Sequence, residues 1–242
     1  MKQKTLVSVL WAVLMLISVT AQGATATDHQ TVSKEYNLGQ FSAIDVSSAV
    51  DVVFTPSTGS QYSVMAEGTA GMIERLQVRV AGDVLTIRQR SNTKFSPRKD
   101  KLKVYVSAPA LQSVTMSGAS SIEVSRLSTS MLEVNGSGAS AVNIKQLVAE
   151  QVTVKVRGAS SARLDGVTTK ATFTSEGASG IKAESLHAAH VLAICSGASN
   201  ISCYASRSVD ATASGASRIT VKGKPAQTEV RSSGASNINV SK

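Results

Sequence analysis

The sequence predicts an all-β protein: a parallel β-helix, or β-solenoid, of coils about 19–20 residues long with an N-terminal antiparallel or cap region. Three observations predict it. The triplet Gly-Ala-Ser occurs seven times, starting at Gly118, Gly138, Gly158, Gly177, Gly197, Gly215 and Gly234, at intervals of 20, 20, 19, 20, 18 and 19 residues. A period of that size marks a stacked repeat. Within each repeat apolar and polar residues alternate with the two-residue period of a strand. And aromatic residues make up 4% of the chain against 42% hydrophobic residues overall, so the core must be built from small aliphatics.

Taken in order, the first residues read as a targeting segment. Lys2 and Lys4 precede the apolar run Leu6 to Val19, and Ala21-Gln22-Gly23 and Ala24-Thr25-Ala26 supply small-residue cleavage sites. That pattern is a signal peptide over residues 1–26. The other reading is an uncleaved anchor, against which the run is short for a membrane span. No cysteine follows the run, so lipid attachment is not supported. Residues 27–40 form an N-terminal extension, and 41–242 a single solenoid domain, whose N-terminal coils and cap occupy 41–111 and whose repeats occupy 112–242.

From Tyr36 to Leu111 the chain alternates in short runs, as in Ile44, Val46, Ser48, Val50, Val52 and Phe54. Ala81-Gly82-Asp83 is a hairpin turn. Ser47-Ser48-Ala49-Val50-Asp51-Val52 looks like a worn copy of the later corner, so the stack is expected to begin near residue 41. Residues 88–103 differ in kind: Arg88, Arg90, Lys94, Arg98, Lys99, Lys101 and Lys103 stand against a single Asp100. Such a stretch is either a solvated loop or a positive patch that attracts anionic glycan, lipopolysaccharide or nucleic acid.

Counting each repeat from its glycine as zero, position +4 reads Ile122, Val142, Ala162, Ile181, Ile201, Ile219, Ile238 and position +6 reads Val124, Ile144, Leu164, Ala183, Cys203, Val221, Val240. Position −4 is apolar too, from Val114 to Val230, and position +9 gives Leu127, Leu147, Val167 and Leu186. Position +5, from Glu123 to Asn239, is polar. Each repeat is therefore two or three short strands with one face inward. One repeat cannot bury that face alone, whereas copies stacked at about 4.8 Å bury a continuous core. Glycine suits a tight corner and alanine is expected at its crowded inner bend. The serines that follow are expected to stack as a hydroxyl ladder; repetition in every coil points to structure, since catalysis needs a site once.

Candidate chemistry is sparse. Scarce aromatics disfavour a specific nucleic-acid reader, which interleaves them with basic residues. Position +7 is expected to set Asp165 above Glu184, and position −5 to set Asp210 above Glu229. Paired acids one coil apart bind Ca²⁺ or act as acid and base, or else splay into water. Arg157 and Glu176 form an ordinary cross-strand pair. His187 and His190 lack the third and fourth ligands a metal site needs. Cys195 and Cys203 both fall in inward columns and either form a disulfide or remain two small buried hydrophobes.

The chain resembles the head GIN domain family of autotransporter adhesins, exported bacterial proteins with a β-helix fold. The likeness rests on Phe41-Ser42-Ala43-Ile44-Asp45-Val46, on Val104-Tyr105-Val106-Ser107-Ala108-Pro109-Ala110-Leu111, on the serial Ser-Gly-Ala-Ser corners and on Gly223-Lys224-Pro225, and covers residue 37 onward. It implies a role in adhesion or the cell envelope and brings no established catalytic residues. The expectation is therefore an exported, periplasmic or surface, non-enzymatic binding module without cofactor or metal. Its expected partner is an anionic glycan or an envelope protein, with self-association through an uncapped last coil. The alternatives are a polysaccharide lyase or hydrolase using the paired acids, and a structural protein assembled through that coil edge.

Overall fold

The computed structural model describes residues 31–90 and 102–241. The expected signal peptide, and Lys94, Arg98, Lys99 and Lys101 of the basic stretch, lie outside the described residues. Before the repeats come β1 (Thr31–Tyr36), β2 (Ala43–Ser47), β3 (Asp51–Pro56), β4 (Ser63–Thr69), the one-and-a-half-turn helix α1 (Ala70–Arg75), β5 (Leu76–Ala81), β6 (Val84–Gln89) and β7 (Lys103–Ala108). The repeats supply β8 (Ser113–Met116), β9 (Ser121–Val124), β10 (Leu127–Gly136), β11 (Ala141–Gly158), β12 (Ser161–Gly177), β13 (Gly180–Gly197), β14 (Asn200–Ala213), β15 (Arg218–Lys222), β16 (Gln227–Ser232) and β17 (Asn237–Val240). The molecule is the β-solenoid that the periodicity predicts.

Each coil has three sides. Between β11 and β12 the parallel register runs Ala141–Ile144 against Ser161–Leu164, then Leu147–Ala149 against Gly166–Thr168, then Gln151–Gly158 against Lys170–Gly177. The inward columns form one core: Val134, Val154, Phe173, Ala193 and Ala211 are all buried on one side, and Ile122, Val142, Ala162, Ile181, Ile201 and Ile219 on another.

The Gly-Ala-Ser corner is where the coils come closest. Gly138 and Gly158 have φ of 75° and 76°, in the left-handed region. The N–H of the following alanine donates to the glycine carbonyl one coil below: Ala139 to Gly118 at 2.8 Å, Ala159 to Gly138 at 2.7 Å, Ala178 to Gly158 at 2.8 Å. A Cβ on Gly158 would stand 2.8 Å from the carbonyl oxygen of Gly138, inside contact distance. Glycine is thus required twice over, by φ and by the neighbour.

The alanine expected at the inner bend is on the outside. Ala119, Ala139, Ala159, Ala178, Ala198 and Ala216 are exposed, while Ser120, Ser140, Ser160, Ser179, Ser199 and Ser217 point inward and are buried. The alternation keeps its phase across the glycine, with Val154 and Val156 buried before Gly158 and Ser160, Ala162 and Leu164 after it, so the alanine falls on an outward position. Buried hydroxyls need partners; Ser140 donates to Ser160 Oγ at 3.2 Å, and the others donate to the carbonyl three residues back, as Ser160 to Arg157 at 2.8 Å, Ser179 to Glu176 at 2.8 Å and Ser199 to Ser196 at 2.7 Å. The ladder closes each corner from within.

Two further expectations change. Val167, placed in an inward column by position +9, is 49% exposed. Its coil is one residue short at this bend, so Gly166 lies opposite Leu147 and Val167 opposite the exposed Val148. The layers also depart from chain order. β2 and β3 pair on one edge with β8 and β9, as the worn corner suggested, and Ser48 takes the left-handed role beneath Gly118 with φ of 78°. On the other edge they pair with β6 and β7. The layer built from residues 84–108 therefore lies below the one built from 43–56, and the antiparallel pairs β5–β6, β4–β7 and β1–β4 close that end. The hairpin between β5 and β6 turns at Gly82-Asp83, as expected.

Cys195 and Cys203 are buried free thiols. Cys195 Sγ lies 3.1 Å from Ser199 Oγ, and Cys203 stacks between Ala183 and Val221 on a different side of the coil. Burial pushes the Cys203 thiol up to about 12.

Two predictions follow the packing. Gly158→Val should lower stability by at least about 2 kcal/mol, from the left-handed φ and the clash with Gly138. Gly39→Ala, with nothing within 4 Å of the added Cβ, should change it by less than about 0.5 kcal/mol; urea midpoints compare them. Because the Cys203 thiol is raised on folding, its contribution is complete below the ordinary value of 9.0 and fades as pH climbs toward about 12, since the unfolded chain ionises first. Cys203→Ala should therefore flatten the fall of the urea midpoint over that window, a difference read between the two proteins at matched pH.

Candidate functional site

The outward columns carry whatever chemistry the protein has, because a strand's alternate residues leave the core at fixed spacing. The acids expected to pair do not form a joint site. Asp165 lies opposite Ser185, not Glu184, because the coil begun at Gly177 has one residue more than the coil begun at Gly158 and the extra residue sits at this bend. Glu184 instead reaches Lys222 Nζ at 2.7 Å. The hydrogen bond and charge of Lys222 hold its carboxyl below the usual carboxylate range, with smaller help from the fields of Arg163 and Lys182.

Asp210 and Glu229 are in register as expected, but Arg231 binds both, at 3.1 Å from Asp210 Oδ1 and in direct contact with Glu229 Oε1. Arg157 and Glu176 also pair as expected, at 3.0 Å. A carboxylate already bridged by a cation on an exposed face makes a poor general base or Ca²⁺ ligand. His187 leans on the Tyr204 ring with centroids 4.3 Å apart, and His190 Nδ1 is 2.8 Å from Ser208 Oγ. Among the described residues no group of three or more His, Cys, Asp or Glu converges as metal ligands would.

Of the basic stretch, Arg88, Arg90 and Lys103 are described. Arg88 on β6 lies opposite Gln77, and Lys103 on β7 lies opposite Asp51 and Glu67, with its ammonium 5.9 Å from the Tyr105 ring centre. They belong to the lowest parallel layer, on two different strands.

The structure brings together a set that the sequence reading passed over. Asn143, Arg163 and Lys182 occupy successive coils of one outward column, and Ala141, Ser161, Gly180 and Asn200 occupy the column beside it. Small residues in the second column leave an open trench of about 480 Å³ across four coils. Asn200 leans back over Gly180, close enough that a Cβ there would meet its Oδ1 at 2.9 Å. Asn143 Oδ1 is shielded from solvent without a hydrogen-bond partner. Arg163 and Lys182 are exposed and form no ion pair among the described residues; of the acids two residues further along their strands, Glu184 is held by Lys222 and Asp165 lies opposite Ser185. The signal was present in the polar +5 column as two consecutive cations beside two positions without bulk. Reading that column only as "polar" hid it.

No helix among the described residues is long and apolar enough to cross a membrane. No curated protein matches the chain. Among solved structures, a "putative adhesin" from Bacteroides fragilis NCTC 9343 is similar with a TM-score of 0.82 and 24% identity, over 88% of this chain and 97% of that one. A "putative lipid binding protein" from Parabacteroides distasonis ATCC 8503 has a TM-score of 0.66 and 17% identity over 86% and 96%. A "putative adhesin" from Parabacteroides merdae ATCC 43184 has a TM-score of 0.63 and 17% identity over 88% and 97%. At these identities the likeness is one of fold. Residues 40–225 match the family described as "Putative auto-transporter adhesin, head GIN domain", and the chain belongs to that family.

Proposed function

We propose that the protein is an exported, non-enzymatic adhesion module that presents its outward strand faces to an anionic glycan or a protein of the cell envelope. Membership of the head GIN domain family carries this reading. The chemistry of the surface supports it: acids that a glycan-cleaving enzyme would need are out of register or bridged by Lys222 and Arg231. A regular parallel stack also suits binding, since it repeats one side-chain direction every coil along a long face. Export rests on the N-terminal targeting pattern, and the basic stretch at 88–103 supplies long-range attraction for a polyanion, screened by salt.

The test is binding to a panel of envelope glycans and a pull-down from envelope extract, with cleavage followed in the same incubations. Replacing Arg88, Arg90, Lys94, Arg98, Lys99, Lys101 and Lys103 with Gln should weaken glycan binding severalfold at low salt and little at high salt. Unchanged low-salt binding removes that stretch from the site. Product released from any polysaccharide, and lost in Asp165→Asn, overturns the non-enzymatic reading.

A further inference from the structure

We propose that the trench bounded by Arg163 and Lys182 is the subsite that grips the acidic groups of a polyuronate chain lying along the solenoid axis. The inference rests on the adhesion reading above and assigns it a place and a ligand class. Three features of the trench point to this occupant.

The first is charge. Arg163 on β12 and Lys182 on β13 face each other in register one coil apart; of the acids two residues further along these strands, Glu184 is engaged by Lys222 at 2.7 Å and Asp165 lies opposite Ser185. Two adjacent like charges repel unless an anion lies between them or across them. The guanidinium offers a planar fork to a carboxylate, and the ammonium a compact charge to the next one.

The second is spacing. Adjacent coils are separated by about 4.8 Å, a length close to that of one pyranose ring with its glycosidic oxygen. Carboxylates on successive sugars turn to different sides of such a chain, and the long, flexible stems of Arg163 and Lys182 reach to two of them. A small anion can bridge the two cations once, whereas a polymer engages both and is held again when either contact opens.

The third is the rest of the lining. The floor is free of bulk at Ala141 and Gly180, so a ring can approach the strand surface, and the amide of Asn200 already leans into the space. Asn143, whose Oδ1 is shielded from solvent, lines one end of the trench. Amides and a hydroxyl beside two cations match an acidic sugar, which carries both hydroxyls and a carboxylate.

Contacts of this kind are individually weak on an exposed face, so the measurement should use a polymer at low ionic strength. Affinity electrophoresis of the full chain in gels containing polygalacturonate, with dextran as the uncharged polymer and inorganic phosphate as a soluble competitor, reads the site. The double substitution Arg163→Gln with Lys182→Gln should weaken retention by polygalacturonate roughly tenfold. Arg163→Lys should keep part of it, and Gly180→Val, which displaces the Asn200 side chain without changing charge, should weaken it as well. Phosphate should compete only at concentrations far above those of polymer carboxylate. Far-ultraviolet circular dichroism and the urea midpoint, unchanged in the exposed Arg163 and Lys182 substitutions, show that the fold is intact, and circular dichroism checks it for Gly180→Val.

Retention equal to the parent in the double variant overturns the proposal, as does equal retention by dextran. If polygalacturonate is lost only when the 88–103 cations are neutralised, the trench is overturned and glycan adhesion stands. If the parent retains no polyanion at all, the trench is overturned and adhesion to an envelope protein is what the pull-down then tests.

Discussion

The structure depends on the approach of one backbone corner to the next. Strands in adjacent coils lie about 4.8 Å apart wherever they hydrogen-bond, and the corner must keep that spacing while the chain changes direction. It does so with a left-handed residue whose carbonyl accepts from the alanine above. There is no room for a side chain between, since a Cβ at Gly138 would stand 2.8 Å from Gly118 O. Everything else in the repeat is arranged to leave that corner undisturbed: a buried serine caps it from inside, and an alanine, too small to obstruct, covers it from outside.

The same constraint explains which parts of the fold were legible in the sequence. The glycine period gave away the coil, because no other residue tolerates both the φ and the contact. The inward columns at +4 and +6 were legible because core burial tolerates no polar intrusion without a partner. Legibility failed at the bends. The coil begun at Gly158 drops a residue there, which turned Val167 outward and separated Asp165 from Glu184. Fixed offsets carry no account of where a missing residue is absorbed. The layer order at the N-terminal end was illegible for another reason: parallel pairing of β2 with β6 spans about forty residues and leaves no periodic trace.

The candidate surface was legible only in fragments. The 88–103 cations stand out because they cluster in sequence, and clustering in sequence is what a reader notices first. Arg163 and Lys182 are nineteen residues apart and become neighbours through the stack. In a solenoid the surface is organised across coils, so its binding chemistry is written down the columns and not along the chain. Ion pairs follow the same rule, since Lys145 reaches Glu123 and Arg231 reaches Asp210 one coil away.

The order of the layers divides the protein into two parts with different freedom to change. From Gly138 onward each coil touches its predecessor about twenty residues earlier, so a repeat can be gained or lost with the neighbouring registers preserved. Below that point Ser48 bonds to Gln89, 41 residues away, and Asp51 to Ser121, 70 residues away. The inner layer is enclosed between two later segments and cannot be removed without opening both. The N-terminal end is thus a fixed foundation and the Gly-Ala-Ser arm an extensible one, so the length of the presented face can vary while the base that orients it stays constant.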